Sequence, residues 1–219
     1  MNWRIVLTLL FIGILTGCAH TEDLQVSAIT AKDAPVQDKK FVIVSDKNEV
    51  VDNDLIFSEF ARQVALVLDL QGYTQVKNID DAQIMVVLTF HISEPQTKTE
   101  IVNTPVYPTA GPFYPGRFGY YPYPLLGYSV YQPMVHQSIV YKKLVRLQAL
   151  DASAYVKQKI IKPLWDIQIT SNNQNGDLRY MFPYMLVAAQ PYIGQNTGHS
   201  INVSVDDKDP MVAALRIGE

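Results

Sequence analysis

The chain has 219 residues, of which 48% are hydrophobic and 18% are charged, and its formal net charge is −3 at pH 7. This length and apolar content are sufficient for one compact domain of ordinary size. The near-neutral charge provides no basic surface for nucleic acid and no polybasic cluster for anionic lipid. Because the chain has only one cysteine, an internal disulfide is excluded.

The N-terminus has the pattern of a secretory signal peptide, which we assign to residues 1–17. One basic residue, Arg4, precedes an uncharged apolar run over 5–15. As a helix this run spans about 16 Å, roughly half of the hydrocarbon thickness of a bilayer, so it is too short to cross a membrane. The run therefore predicts export followed by removal.

The apolar run ends in Leu15-Thr16-Gly17-Cys18, which resembles the lipobox of bacterial lipoproteins. The resemblance implies a diacylglycerol thioether on Cys18, cleavage between Gly17 and Cys18, and acylation of the new amino terminus. Ala19 stands where an aspartate would favour inner-membrane retention under the sorting rule of Gram-negative lipoproteins. We therefore expect a lipid-anchored envelope protein at the periplasmic face of the outer membrane.

Residues 18–39 are predicted to form the lipidated cysteine and a polar tether. A flexible coil of this length has an end-to-end distance of about 25 Å. A short strand at 24–29 is an alternative, because Leu24, Val26 and Ala28 alternate with polar neighbours. Residues 40–219 are predicted to form a single domain.

The first half of this domain predicts a strand, a helix and two further strands. Residues 40–45 are mostly β-branched and read as a buried strand. Asp52-Asn53-Asp54 offers helix N-caps, and apolar residues recur at helical spacing until Gly72, which suits the left-handed position after a helix. A short strand at 73–76, a turn at 80–82 and a long central strand at 83–92 follow.

The second half continues with short elements. A strand over 137–151, with Lys143 on the same face as Val145 and Leu147, is predicted to pair antiparallel with 83–92. The remaining predictions are a strand at 163–170, a loop at 171–177, a turn at 178–182, a helix with Pro183 in its first turn and Gly194 at its end, a strand at 201–205, and a helix from Met211 capped by Asp209. Together they predict an α+β fold: a two-layer sandwich with a largely antiparallel sheet and two main helices on one face.

Residues 105–133 differ from the rest of the domain in composition. They contain seven tyrosines, seven prolines and four glycines, and Arg117 is their only charged residue. This composition predicts a long irregular insertion, because proline lacks a backbone donor and glycine has no side chain to pack. A solvated loop is one interpretation. The other is a surface for an envelope protein or a glycan, with tyrosine rings as rigid amphipathic contacts at Tyr114, Tyr120, Tyr121 and Tyr123.

The order of several motifs resembles the bacterial lipoprotein family called domain of unknown function 4136. They are Phe41-Val42-Ile43-Val44, a helix ending in Gly72-Tyr73, the strand start Asp81-Ala82-Gln83-Ile84, the tyrosine-rich insertion, a strand ending at Asp151, and Leu164-Trp165. The resemblance covers roughly residues 40–205 and implies a fold and an envelope location but no activity. Gln83 stands where the family's aspartate is expected.

No catalytic or metal-binding motif is present in the sequence. The four histidines, His20, His91, His136 and His199, are far apart and lack metal-ligand spacing. Asp206-Asp207-Lys208-Asp209 lacks the glycine and the distal glutamate of a calcium loop. We therefore expect no metal, no cofactor and no nucleic-acid partner, and a non-enzymatic binding or scaffolding role. An enzyme that acts on cell-wall glycan, or a regulator of one, is the alternative, since aromatic loops can stack on sugars.

Overall fold

The computed structural model describes residues 20–32, 39–46, 55–106 and 130–217. The described residues up to 94 and from 141 onward form one compact unit, and the described residues between 95 and 140 form another. The described chain forms eight strands and four helices, a mixed α/β fold.

The strands are β1 (Thr21–Thr30), β2 (Lys40–Ser45), β3 (Thr74–Gln75), β4 (Ile84–Ile92), β5 (Gln96–Val106), β6 (Val130–Asp151), β7 (Pro163–Asn173) and β8 (Ile201–Asp206). The helices are α1 (Leu55–Leu70), α2 (Ala152–Gln158), α3 (Leu178–Ala189) and α4 (Pro210–Ile217). Short 3-10 turns cover Ile79–Asp81 and Gln190–Tyr192.

The strands of the first unit lie in the order β3-β2-β4-β6-β7-β1-β8. The pairs β2–β3 and β2–β4 are parallel, and the other pairs are antiparallel. The sequence prediction that 83–92 and 137–151 pair antiparallel is confirmed, and β4 is central because it lies between β2 and β6.

The main core lies between one sheet face and helices α1, α3 and α4. Phe60 of α1 is fully buried, stacks on Phe182 of α3 at a centroid distance of 3.9 Å and meets Phe90 of β4 edge-to-face at 4.9 Å. Burying an aromatic ring contributes a few kcal/mol, and geometries of this kind add about 1 kcal/mol more. Helix α2 belongs instead to a second apolar cluster, which contains Ala82, Met85, Leu150 and Ala152.

Several helix and strand signals are confirmed. Helix α1 ends at Leu70, and Gly72 follows with a φ of +78°, a conformation that favours glycine. Asp209 caps α4 as predicted, since its side chain accepts from the Met211 amide at 2.8 Å.

The tether predicted over 18–39 is wrong for residues 21–30. These residues form β1, which lies between β7 and β8. Leu24, Val26 and Ala28 are each at most 1% exposed. The alternation of these residues with polar neighbours is the pattern of a strand, and the strand partners on both edges of β1 stabilise that conformation. The domain therefore starts before residue 40.

The start of α3 also differs from the prediction. The sequence predicted a turn over 178–182 and a helix from Pro183, but the helix begins at Leu178. Asp177 explains the earlier start, because its carboxylate accepts from the Arg179 amide at 2.8 Å and caps the helix. Likewise β7 continues to Asn173, into the segment predicted as a loop. Helix α2 was not predicted.

The second unit is a two-stranded antiparallel ribbon. Strand β5 pairs with residues 130–140 of β6 from Gln96↔Val140 to Val106↔Val130. The irregular insertion predicted over 105–133 is therefore wrong at both ends, since 105–106 and 130–133 are strand residues. Pro105 and Pro133 are tolerated because, within the described ranges, each ribbon strand is paired along one edge only. Residues 107–129 lie outside the described residues.

Candidate functional site

All six site residues predicted from the sequence lie outside the described part of the chain. Gly17 and Cys18 do so, as do Tyr114, Tyr120, Tyr121 and Tyr123. The described residues that flank the tyrosine-rich segment are those of the ribbon. The ribbon therefore provides the structural information on the surface predicted around the tyrosine-rich segment.

The ribbon carries a row of exposed apolar side chains on one face. Ile101 lies directly opposite Val135, and these residues are 72% and 65% exposed. Side chains at i and i+4 of a strand share a face, so Tyr131 and Ile139 belong to the same face; they are 63% and 57% exposed. We call Ile101, Tyr131, Val135 and Ile139 the apolar ribbon face.

The opposite face of the ribbon is mixed in character. Lys98 and Glu100 form an ion pair at 2.5 Å, and the pKa of Glu100 is lowered mainly by its hydrogen bond to Lys98. Glu100 also lies opposite His136. One apolar pair, Val102 and Met134, is exposed on this face. The two faces therefore differ in charge while sharing the same backbone.

The sequence contains a strand pattern at the start of this ribbon. Thr97, Thr99 and Ile101 are β-branched residues at a spacing of two, which is typical of a strand. Proline and tyrosine in 105–133 obscured the partner strand. A two-stranded ribbon in water is marginally stable, and exposed apolar faces mark interaction sites.

The first unit contains a buried polar network on its core face. Lys143 is fully buried, and its Nζ donates to Asn173 Oδ1 at 2.7 Å. Asn173 Nδ2 in turn donates to Glu22 Oε2 at 2.8 Å, and His20 Nε2 lies 3.2 Å from Glu22 Oε1. Burial lowers the pKa of Lys143, while the negative charges of Glu22 and Asp177 oppose this effect. The network ties the start of β1 to β6 and β7.

A second polar group joins α3 to α4. Tyr184 is fully buried, and its hydroxyl donates to Asp207 and accepts from Arg216 Nη2 at 2.9 Å. Burial and the hydrogen bond to Asp207 raise the pKa of Tyr184. The Arg216 guanidinium also lies 4.7 Å from the ring centroid of Tyr180. Because every member has a partner, the group is a structural anchor for α4.

One cavity, of about 420 Å³, opens between residues of β1, β6 and β7. Asp166 is the only carboxylate among its lining residues, and it accepts from Arg146 Nε at 3.0 Å and Gln148 Nε2 at 3.2 Å. These bonds occupy the carboxylate, so it is not placed for acid-base work. General acid-base hydrolysis of a glycan usually needs two carboxyl groups.

A second cavity forms a groove of about 400 Å³ where α1 and α3 begin and β4 ends. Its lining is mainly apolar and consists of Ile56, Phe60, Phe90, His91, Ile92, Asp177, Leu178 and Arg179. His91 and Asp177 are the only histidine and the only carboxylate in this lining. Asp177 also caps α3, as described above.

The described residues contain no group of three or more His, Cys, Asp and Glu side chains that could hold a metal ion. Besides His20, two of the four histidines have an acidic neighbour: His136 lies directly opposite Glu100 in the ribbon, and His91 lines the groove together with Asp177. No helix within the described ranges is long and apolar enough to cross a membrane.

No family model matches the chain, and no curated protein does. Among solved structures, it is similar to a PDZ domain protein from Parabacteroides distasonis ATCC 8503, with 14% sequence identity and a TM-score of 0.41. The match covers 86% of this chain and 40% of that protein, so this chain spans less than half of that protein's length. The resemblance to domain of unknown function 4136 stays a prediction.

Proposed function

We propose that the protein is a membrane-anchored envelope lipoprotein that acts as a non-enzymatic binding or scaffolding module. A lipid on Cys18 anchors it, at the periplasmic face of the outer membrane. The ribbon and the tyrosine-rich residues between its strands bind the partner. The observation that carries this proposal is the apolar ribbon face, whose four side chains are each more than half exposed.

The chemistry of the ribbon favours a protein partner over a glycan. Sugars are usually bound by aromatic stacking and polar groups, whereas three of the four side chains of the apolar ribbon face are aliphatic and only Tyr131 is aromatic. Among the described residues, 96–106 and 130–140 pair only with each other, so each strand has a second edge that can add a strand from another protein. An exposed apolar row beside open backbone edges is the combination that strand addition uses. We therefore propose an envelope protein as the partner.

The two-layer α+β arrangement is part of the proposal. Helices α1, α3 and α4 contribute to one core with the sheet, which supports the predicted layer of helices on one face. Such a domain acts as a rigid support, and binding residues are commonly placed on the segments between its elements.

We expect the amount of envelope protein that copurifies after crosslinking in intact cells to fall at least tenfold in the double variant Ile101→Ser and Val135→Ser. Removal of two exposed branched side chains eliminates up to about 3 kcal/mol of apolar contact in a complex. The thermal unfolding midpoint of the first unit should be nearly unchanged, since exposed substitutions usually alter stability by less than about 0.5 kcal/mol.

The matched control is Val102→Ser with Met134→Ser, a directly opposed apolar pair on the other ribbon face. It makes the same type of change on the same backbone, and its crosslinked partners should remain. Equal losses in both double variants would show that ribbon stability, and not one binding face, governs copurification. No loss in either variant would refute the binding role of the ribbon.

The alternative function is an enzyme that acts on cell-wall glycan, and one observation favours it. His91 and Asp177 both line the groove, and a histidine with an acid is a usual pair for proton transfer. We expect purified protein to release no more soluble fragments from peptidoglycan than buffer does. Release by the wild type that falls at least a hundredfold in His91→Ala would establish the alternative and refute the non-enzymatic proposal.

A further inference from the structure

The first strand begins very close to the cysteine proposed to carry the lipid. Strand β1 starts at Thr21, and the carbonyl of His20 already accepts from the Asp207 amide at 2.9 Å. His20 follows Cys18 by two residues, so their Cα atoms are at most about 7 Å apart. The start of β1 is therefore held within a short distance of any bilayer in which a lipid on Cys18 is embedded.

The strand register shows what else lies at this end of the first unit. Thr21 pairs with Asp206 at the end of β8, and Leu24 pairs with Ser171 near the end of β7. Ser171 pairs with Lys143, and Lys143 pairs with Ile92, the last residue of β4. The start of β1 and the end of β4 are thus at the same end of the sheet.

The apolar groove opens at this same end. Its lining includes Phe90 and Ile92 from the end of β4 and Ile56 from the first turn of α1. Leu55, the first residue of α1, is 84% exposed, and Ile56 is 46% exposed. Two large apolar side chains are therefore presented beside an apolar groove at the lipid-bearing end.

The opposite end of α1 provides an internal comparison. Leu70 is 61% exposed and lies 15 residues from Leu55, which corresponds to about 22 Å along a helix. Gln71 follows it, and its carbonyl accepts from Lys39 Nζ at 3.0 Å, just before the start of β2. Because β2 and β4 are parallel, Leu70 lies at the far end of the sheet from Ile92.

We propose that the end of the first unit bearing Leu55, Ile56 and the groove lies against the lipid bilayer. The inference rests on the proposed lipidation of Cys18, which brings the acyl chains to this end. The attraction is apolar, because the charges at this end are balanced: Arg179 pairs with Glu59 and Arg216 lies beside Asp207, so there is no net preference for anionic headgroups. A zwitterionic phospholipid surface is therefore the partner that this end fits.

The test uses the full lipidated protein in phosphatidylcholine vesicles that contain a spin-labelled quenching lipid. Cys18 is the only natural cysteine, and its thiol is consumed in the thioether, so Leu55→Cys and Leu70→Cys each offer one reactive thiol. Each variant is labelled with an environment-sensitive fluorophore such as nitrobenzoxadiazole. Both positions are more than half exposed, so neither label disturbs the core.

We expect quenching of the label at position 55 to be at least threefold stronger than at position 70, with its emission shifted to the blue. Equal quenching at both positions, or stronger quenching at 70, overturns the orientation. Vesicle flotation is measured on the same samples. Protein that floats with equal quenching at 55 and 70 retains the lipid anchor but refutes the orientation, whereas protein that does not float refutes the anchor and the orientation with it.

Discussion

Cys18→Ser is expected to abolish lipid labelling and to block maturation, so that the unprocessed precursor with its apolar run over 5–15 accumulates. Serine has no thiol to form the thioether, so the acyl chains that we propose on Cys18 are lost. Each buried methylene contributes about 0.8 kcal/mol to membrane binding; one chain binds only weakly, but several chains together give stable attachment. Growth with labelled palmitate measures the lipid on the protein, and electrophoretic mobility distinguishes the unprocessed precursor from the mature protein.

The neighbouring variant Ala19→Ser is the control for this experiment. It changes a small residue next to the cysteine but keeps the thiol, so lipid labelling and membrane attachment should equal those of the wild type. Labelled palmitate on Cys18→Ser at the normal level would refute the assignment of the modified residue. Loss of label in both variants would point to a processing defect that does not depend on the thiol.

The elements predicted best from the sequence are those whose signals are local. Helix α1 combines apolar residues at helical spacing with a terminating Gly72, and both features can be read within 18 residues. Strand β4 is a nearly continuous apolar run, typical of a strand covered on both faces. In each case the local pattern and the tertiary environment agree.

Strand β1 was predicted less well because its stabilising partners are remote in sequence. It contains Glu22 and Asp23, which make the segment look like a polar tether. Its neighbours β7 and β8 lie more than 130 residues further along the chain. Whether an alternating segment is a strand or a linker depends on that pairing, and periodicity alone cannot decide it.

The buried polar network also combines a feature that the sequence predicts locally with partners that it does not predict. The sequence placed Lys143 on the face of Val145 and Leu147, and that placement is confirmed, since all three side chains are buried. The pattern could not identify its partners, because Asn173 is 30 residues from Lys143 and Glu22 is 151 residues from Asn173. Side chains on a face can be inferred from strand periodicity, whereas partners on other strands require the topology.

Glu22→Leu is expected to lower the free energy of unfolding by about 3 kcal/mol at pH 7, because the buried Lys143 ammonium loses the larger of the two negative charges that offset its burial and keeps only that of Asp177. The Lys143 ammonium would keep its hydrogen bond to Asn173, and Asn173 Nδ2 would lose its bond to Glu22. Leucine restores apolar volume, so the loss reports the charge and not a cavity. Urea denaturation of the lipid-free domain measures it.

The control is Asp23→Leu, the same type of change at the next residue, whose side chain is exposed on the other side of β1. It loses only an exposed hydrogen bond from Ser204, so the unfolding free energy should change by less than about 1 kcal/mol. Similar losses in the two variants would show that Lys143 does not depend on Glu22.

The pH dependence separates a buried charge from an ordinary packing defect. Burial lowers the pKa of Lys143 and Glu22 raises it, so the pKa falls further in Glu22→Leu. Above this lowered pKa and below the ordinary lysine value, about 10.5, the unfolded chain binds a proton that the folded chain has lost, so stability rises with pH. The variant should therefore recover part of its deficit as the pH rises from the lowered pKa of Lys143 toward the ordinary lysine value. Adding Lys143→Met to Glu22→Leu should restore more than half of the stability deficit at pH 7, because the buried charge is then absent. It should also abolish the pH dependence. A stability deficit that persists unchanged in the double variant would assign the effect of Glu22 to packing.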